Sequence, residues 1–213
     1  MKIIPCEQGS VEWIRARAGI PTASSFDRII TAGGKLSAQS REYMHDLAAE
    51  RILGVSLDNI TSEWMERGKA MEEAARDYYR FQADADVVTG GFCLRDDRSA
   101  GCSPDGLVGD DGGVEIKCPG AGKHIGYLIG GELPAAYRCQ VQGSLWVTGR
   151  AWWDFLSYNP SLPSVIVRVT RDDAFIAALS GAVVEFSGQL EAAMGRLRDK
   201  GLLPPVRASR VET

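Results

Sequence analysis

The chain has 213 residues, 45% of them hydrophobic and 24% charged, so one domain with a sizeable core is expected over residues 1–213, with 200–213 as a mobile tail. The longest apolar runs, such as SVIVRV, fall far short of the roughly 20 residues a membrane span needs, and the opening MKIIPCEQGSVEW meets acidic residues too early for a signal peptide. The net charge of −4 speaks against a simple binder of polyanions, but not against an enzyme that gathers carboxylates around a cation while basic residues line the substrate path.

In chain order, residues 37–54 are predicted to form a helix, with Met44, Leu47, Ala48 and Arg51 on one face, Ser37 as N-cap and Gly54 as the stop. A second helix is expected over residues 61–81, with Trp64, Gly68, Met71, Ala75 and Tyr78 as its inward stripe. Strand-like runs follow at residues 87–88, 92–94 and 100–108. GDDGG then supplies a turn, and VEIKC a β-type run ending at Pro119. Pro134 marks the start of a helix continuing through Val141 and Leu145 to Gly149. Two strands, AWWDFLSY and SVIVRV, precede a long amphipathic helix over residues 172–200. This order predicts an α/β (α+β) chain with a central mixed sheet flanked by helices. Five widely spaced cysteines (Cys6, Cys93, Cys102, Cys118, Cys139), with no C-x-x-C, point to reduced thiols in a cytoplasm, neither a disulfide framework nor a zinc site. His45 and His124 cannot make a metal cluster by themselves and are expected to be solvated or packed.

The stretch SPDGLVGDDGGVEIKCP, residues 103–119, carries the chemistry. On a strand, residues i and i+2 share a face, so Glu115 and Lys117 point together while Ile116 faces the opposite side. If the two strands form a hairpin, Asp105 approaches Glu115, because cross-strand neighbours lie about 5 Å apart. Two carboxylates that close repel unless a cation sits between them, and a partial set of hard oxygen ligands suits Mg²⁺. Such an ion lowers the pKa of a bound water and neutralises a phosphate under attack. Lys117 can then orient or deprotonate that water, its own pKa pulled down by the cation. The short pattern equally suits the solvated face of an edge strand.

Further motifs extend the pattern. WIRARAGIPTASSF, RGKAMEEAARDYYRF, CSPDGL, VEIKCP and YRCQVQGSLWVTGRAWWDFLSYNP resemble, in that order, the phage lambda exonuclease or YqaJ-type viral recombinase family. The resemblance runs from Trp13 to Pro160 and is vague beyond. It implies the PD-(D/E)xK fold of restriction enzymes, dependence on Mg²⁺ with Mn²⁺ as a substitute, 5′-to-3′ digestion of one strand of duplex DNA, and a ring-shaped homotrimer. By that resemblance Asp105, Glu115 and the main-chain carbonyl of Ile116 match metal ligands, Lys117 the catalytic lysine, and Glu72 an acidic helix residue close to the metal. Gln140 and Tyr137 match helix positions facing the active site, Tyr137 being equally suited to the core. Arg17, Ser24 and Ser103 match residues that bind a 5′-terminal phosphate, with Arg15 as the alternative to Arg17. Lys35 and Arg41 are the basic residues left between Ile30 and Tyr43 to contact the duplex. Trp152 and Trp153 are expected to pack in the core or between subunits.

The expected function is therefore a bacterial or prophage exonuclease that releases 5′-mononucleotides and leaves a 3′ single-stranded tail for an annealing partner protein. The alternatives are an endonuclease of the same fold, for which the short chain offers no target-recognition domain, and a non-catalytic DNA-end-binding protein. The presence of Asp105, Glu115 and Lys117 together counts against the latter.

Overall fold

The structure is a computed structural model, described over residues 1–57 and 63–203 and, for 63–70, by its main chain alone. Thr61, the Trp64 side chain and the surroundings of Gly68, and the tail beyond 203, lie outside the described parts.

Two sheets organise the molecule. Strands β1 (Lys2–Ile4), β3 (Phe92–Leu94) and β4 (Gly101–Cys102) form a small antiparallel sheet in the order β1-β3-β4. The larger sheet has the order β2-β5-β6-β7-β8, from β2 (Val87–Val88), β5 (Gly106–Val108), β6 (Gly112–Lys117), β7 (Trp152–Ser157) and β8 (Val165–Thr170). Its strands pair antiparallel except β6 with β7, whose parallel register (Glu115 opposite Phe155) follows from a crossover through two helices, α4 (Ala121–Gly130) and α5 (Arg138–Thr148). Helix α3 (Glu63–Ala83) covers one face, burying Ala75, Tyr79, Val114, Ile116 and Leu156 together. The other face meets α5, α2 (Ser40–Leu53) and α6 (Asp173–Asp199) around Trp153, Val141, Leu145, Leu179 and Phe186. Each such side chain contributes about 1.5–3 kcal/mol by leaving water.

The mixed sheet with flanking helices matches the expected fold, and four local expectations change. Helix α2 starts three residues later than Ser37, because the Ser37 N–H donates to the Ile29 carbonyl and holds it in the preceding loop; Gly54 ends it as expected, in the left-handed region at φ 72°. On α3 the buried aromatic is Tyr79, not Tyr78. Gly112 and Gly113, expected as turn, lie within β6. The Trp152 and Trp153 rings occupy the space their side chains would need: a Cβ on Gly113 would sit 2.4 Å from Trp153. The run 100–108 is two strands belonging to different sheets, divided at Pro104, which has no N–H to give a ladder. Helices α1 (Val11–Arg17), capped by the Ser10 hydroxyl, and α4 were not foreseen from periodicity, being short and, in α4, rich in glycine. Among the described residues no helix is long and apolar enough to cross a membrane.

Candidate active site

Residues 103–105 bridge the two sheets. They leave β4 and enter β5, whose pairing of Gly106 with Val114 aligns Asp105 with Glu115 across the hairpin. The Ile116 N–H donates to Asp105 Oδ2 at 2.6 Å, fixing that carboxylate against β6. Glu115 and Lys117 share a face, with Lys117 Nζ 2.6 Å from Glu115 Oε1, and Gln140 Nε2 from α5 donates to the same oxygen at 2.7 Å. Glu115 is only 2% exposed, so the solvated edge-strand alternative does not describe it. Tyr137 serves both expected ends: its ring packs on Phe155 with centroids 5.0 Å apart, and Lys117 Nζ lies 5.4 Å from its centroid.

Burial sets the electrostatics. It pushes the Glu115 carboxyl up to about 7, with Lys117 opposing and the Asp105 and Glu72 charges adding to the rise. Asp105 is raised by burial too, against the lowering effects of Lys117, the Ile116 N–H and Arg76. Burial alone would lower Lys117, but Glu115 and Asp105 more than offset it and hold the amine above the ordinary lysine value. The lowering expected from the sequence is the effect of a bound cation, whereas the rise described here is the effect of the Glu115 and Asp105 carboxylates on the amine. Among the described residues no three His, Cys, Asp or Glu side chains group as a metal cage. The donor set for a cation is thus one buried and one half-buried carboxylate that repel one another, with the Ile116 main chain alongside. That partial oxygen set fits Mg²⁺, which keeps several waters.

Glu72, on α3, stands close enough for its charge to act on Glu115, and Arg76 Nη2 bonds its Oε1 at 2.5 Å. Arg76 was missed from sequence, although its i+4 spacing from Glu72 was a usable signal. A cleft of about 670 Å³ opens beside these residues, lined by Gln8, Glu72, Arg76, Gly90, Pro104 and Asp105 among others.

Arg17, Ser24 and Ser103 converge through two residues that composition gave no reason to choose. Arg17 is 8% exposed, lies over the Trp13 ring at 4.3 Å, and reaches Thr22 Oγ1 at 3.4 Å. Thr22 Oγ1 is 3.2 Å from Ser24 Oγ, and Trp13 Nε1 donates to Ser103 Oγ at 2.8 Å. Arg15 is exposed and lines a separate cleft with Arg51, Arg98 and Glu191. Lys35 and Arg41 are exposed on the segment before and at the start of α2, and no described bond joins either to the carboxylates. Trp153 is fully buried, whereas Trp152 lies under Arg168 at 3.7 Å. His124 is a packed histidine, bonded to Ser157 Oγ and the Pro163 carbonyl, and all five cysteines are free.

Comparisons with known proteins agree with this arrangement. The YqaJ-like viral recombinase domain matches residues 12–151. Structurally, the chain is similar to an alkaline exonuclease, LHK-Exo, from Laribacter hongkongensis, at 35% identity and TM-score 0.82 over 90% of this chain and 98% of that one. The same enzyme in complex with dAMP matches equally. A phage-related exonuclease from Haemophilus somnus 129PT shares the fold at 15% identity and TM-score 0.65, over 84% of this chain and 96% of that one. The ExoD protein of Escherichia coli (strain K12) is 29% identical over 76 residues, 33% of this chain and 87% of its own length.

Proposed function

Because the chain belongs to the YqaJ-like viral recombinase domain family and is a DNA exonuclease of the lambda-exonuclease type, we propose that it digests one strand of duplex DNA from a 5′-phosphorylated end in a Mg²⁺-dependent reaction. The observation that carries this reading is the Asp105–Glu115–Lys117 group, in which the buried Glu115 meets the half-buried Lys117 amine at 2.6 Å and Asp105 is bonded to the same strand. Asp105, Glu115 and the Ile116 carbonyl would hold the ion, and Mn²⁺ would serve in its place. When bound, it would supply an acidified water and neutralise charge on the scissile phosphate.

The chain's own residues do the rest. Lys117 directs the attacking water, and with the carboxylate charge taken up by a cation it can also accept a proton, so the rate rises toward alkaline pH. Gln140 holds the Glu115 carboxylate in its rotamer. Arg17, Ser24 and Ser103 receive the terminal phosphate; Trp13 supports this by orienting the Ser103 hydroxyl and lying beneath the guanidinium. Since Ser103 is two residues from Asp105, a phosphate held there places the next diester at the carboxylates. Each cleavage then leaves a fresh 5′-phosphate to move into the same pocket.

We read the chain as one exonuclease domain working as a ring-shaped homotrimer in the cytoplasm, leaving a 3′ tail for a single-strand annealing protein. Closed heterologous contacts would make such a ring, and light scattering that gives a monomer mass at micromolar concentration would remove it. The activity is tested with Mg²⁺ and matched linear and circular duplexes. Acid-soluble nucleotides from linear DNA alone support the exonuclease, nicked circles the endonuclease of the same fold, and no product the end-binding protein.

A further inference from the structure

A guanidinium outside the Asp105–Glu115–Lys117 group ties two parts of the site together. Arg76 lies on α3, one turn beyond Glu72, with its side chain 16% exposed on the wall of the 670 Å³ cleft. Its Nε donates to the main-chain carbonyl of Asp105 at 3.0 Å, and its Nη2 bonds Glu72 Oε1 at 2.5 Å. One planar fork thus joins a helix carboxylate to the strand end that carries Asp105, two elements with no covalent link nearer than residues 72 to 105. Asp105 and Glu115 face one another across the hairpin and the Glu72 charge also acts on Glu115, while Lys117 bonds Glu115 and Arg76 bonds Glu72. Glu72 alone stands off the sheet, and it is the one that Arg76 holds.

We infer that Arg76 is a positioning residue: a built-in counter-cation that clamps Glu72 and the Asp105 main chain in place before the ion binds. The inference rests on the carboxylate group being a cation site. A lysine would retain the charge on a single nitrogen and lack the planar fork by which Nε and Nη2 reach the two oxygens separately. An ordinary structural arginine would stabilise the fold equally with or without the ion. A counter-cation differs, because a bound cation takes over its electrostatic role.

The test compares wild type, Arg76→Gln and Arg76→Lys by thermal melting, in chelator and in saturating Mg²⁺. Without Mg²⁺, Arg76→Gln should melt about 3–10 °C lower, the shift that one charge-assisted hydrogen bond gives in a chain of this size. Saturating Mg²⁺ should recover more than half of that drop, and Arg76→Lys should show a smaller one. Digestion should show kcat about tenfold lower with KM for DNA unmoved, and the loss should shrink markedly in a Glu72→Gln background. A drop independent of Mg²⁺, or additive effects of the two substitutions, would overturn the clamp while leaving the cation site standing. If Mg²⁺ does not move the wild-type melting point, the cation site itself is wrong, and the clamp falls with it.

Discussion

Two carboxylates on adjacent strands, Glu115 on β6 and Asp154 on β7, are both 2% exposed, yet their surroundings differ in kind. Asp154 has both oxygens filled: Arg168 reaches them from β8 at 2.9 and 2.9 Å, and Tyr79 donates from α3 at 2.7 Å. One negative charge meets one positive charge, and the cluster closes on itself. Glu115 has Lys117 and Gln140 on a single oxygen, and two further carboxylates close by. Burial alone therefore does not mark a functional carboxylate, since such groups are buried throughout proteins when paired. What separates the two is what surrounds them: Asp154 meets a guanidinium on both oxygens, whereas Glu115 has Lys117 on one oxygen and the Asp105 and Glu72 charges acting against it.

The largest expected effect tests the second cluster. Lys117→Ala should lower cleavage by about 10²–10⁴-fold, the range for a positioned acid–base group, with fold, assembly and DNA binding retained. Digestion assays on a variant shown folded by calorimetry decide the matter, and an active variant would break the contrast outright. The Arg17 pocket extends the comparison to a buried guanidinium that lies beside a hydroxyl and an indole. A 5′-phosphate there should be worth about 1.5–3 kcal/mol, so phosphorylated duplex should be digested about one to two decades faster than the 5′-hydroxyl form. Equal initial rates on matched substrates, or a preference that survives Arg17→Ala, would remove the pocket from the mechanism and reopen the case for Arg15.

The satisfied cluster should respond differently. Arg168→Ala leaves Asp154 with Tyr79 alone. A fully buried broken pair costs about 3–5 kcal/mol, but Arg168 is 56% exposed, so solvent screening brings the expected loss to about 2 kcal/mol. Denaturant melts should show that loss, with the rate per folded molecule unchanged. A fall in rate as large as that of Lys117→Ala would show that the two clusters act as one.

The contrast also explains what the sequence could reveal. Glu115, Lys117 and Asp105 were legible because strand alternation and a hairpin are local rules, and the P-D and E-x-K spacing survives translation into structure. Gln140 and Glu72 needed the family resemblance, since their approach to β6 depends on how α5 and α3 dock. Asp154 was invisible as a buried acid because its partners come from 75 residues upstream and 14 downstream, and nothing in WWDFL announces them. Trp13 and Thr22 were hidden for the opposite reason: both lay inside a quoted motif, but their roles are to hold other side chains. Helix α4, with three glycines in ten residues, lacks the propensity that would have predicted it.

The last comparison of the two clusters is made by changing pH. Burial raises Glu115 from its ordinary 4.5 to about 7, with Lys117 opposing and Asp105 adding to the rise. Over that interval the folded state holds a proton that the unfolded state has released. The stability Glu115 contributes is therefore fully present below pH 4.5 and is lost as pH rises through 7. The raised value of Lys117 matters only above its ordinary 10.5, outside this window. A cation competes with that same proton, so Mg²⁺ should stabilise the protein little at pH 5 and fully at pH 8. The effect should be about 1–3 kcal/mol, or about 2–4 °C of melting temperature for each kcal/mol. Glu115→Gln should flatten both the pH slope and the Mg²⁺ shift, while Arg168→Ala should leave the Mg²⁺ shift intact, since Asp154 lies on the other sheet face with its own partners. Melting curves at pH 5 and pH 8, with chelator and with Mg²⁺, would settle it. An Mg²⁺ shift of equal size at the two pH values would mean that the ion does not displace the Glu115 proton, and the carboxylates around Glu115 would lose their meaning as a cation site.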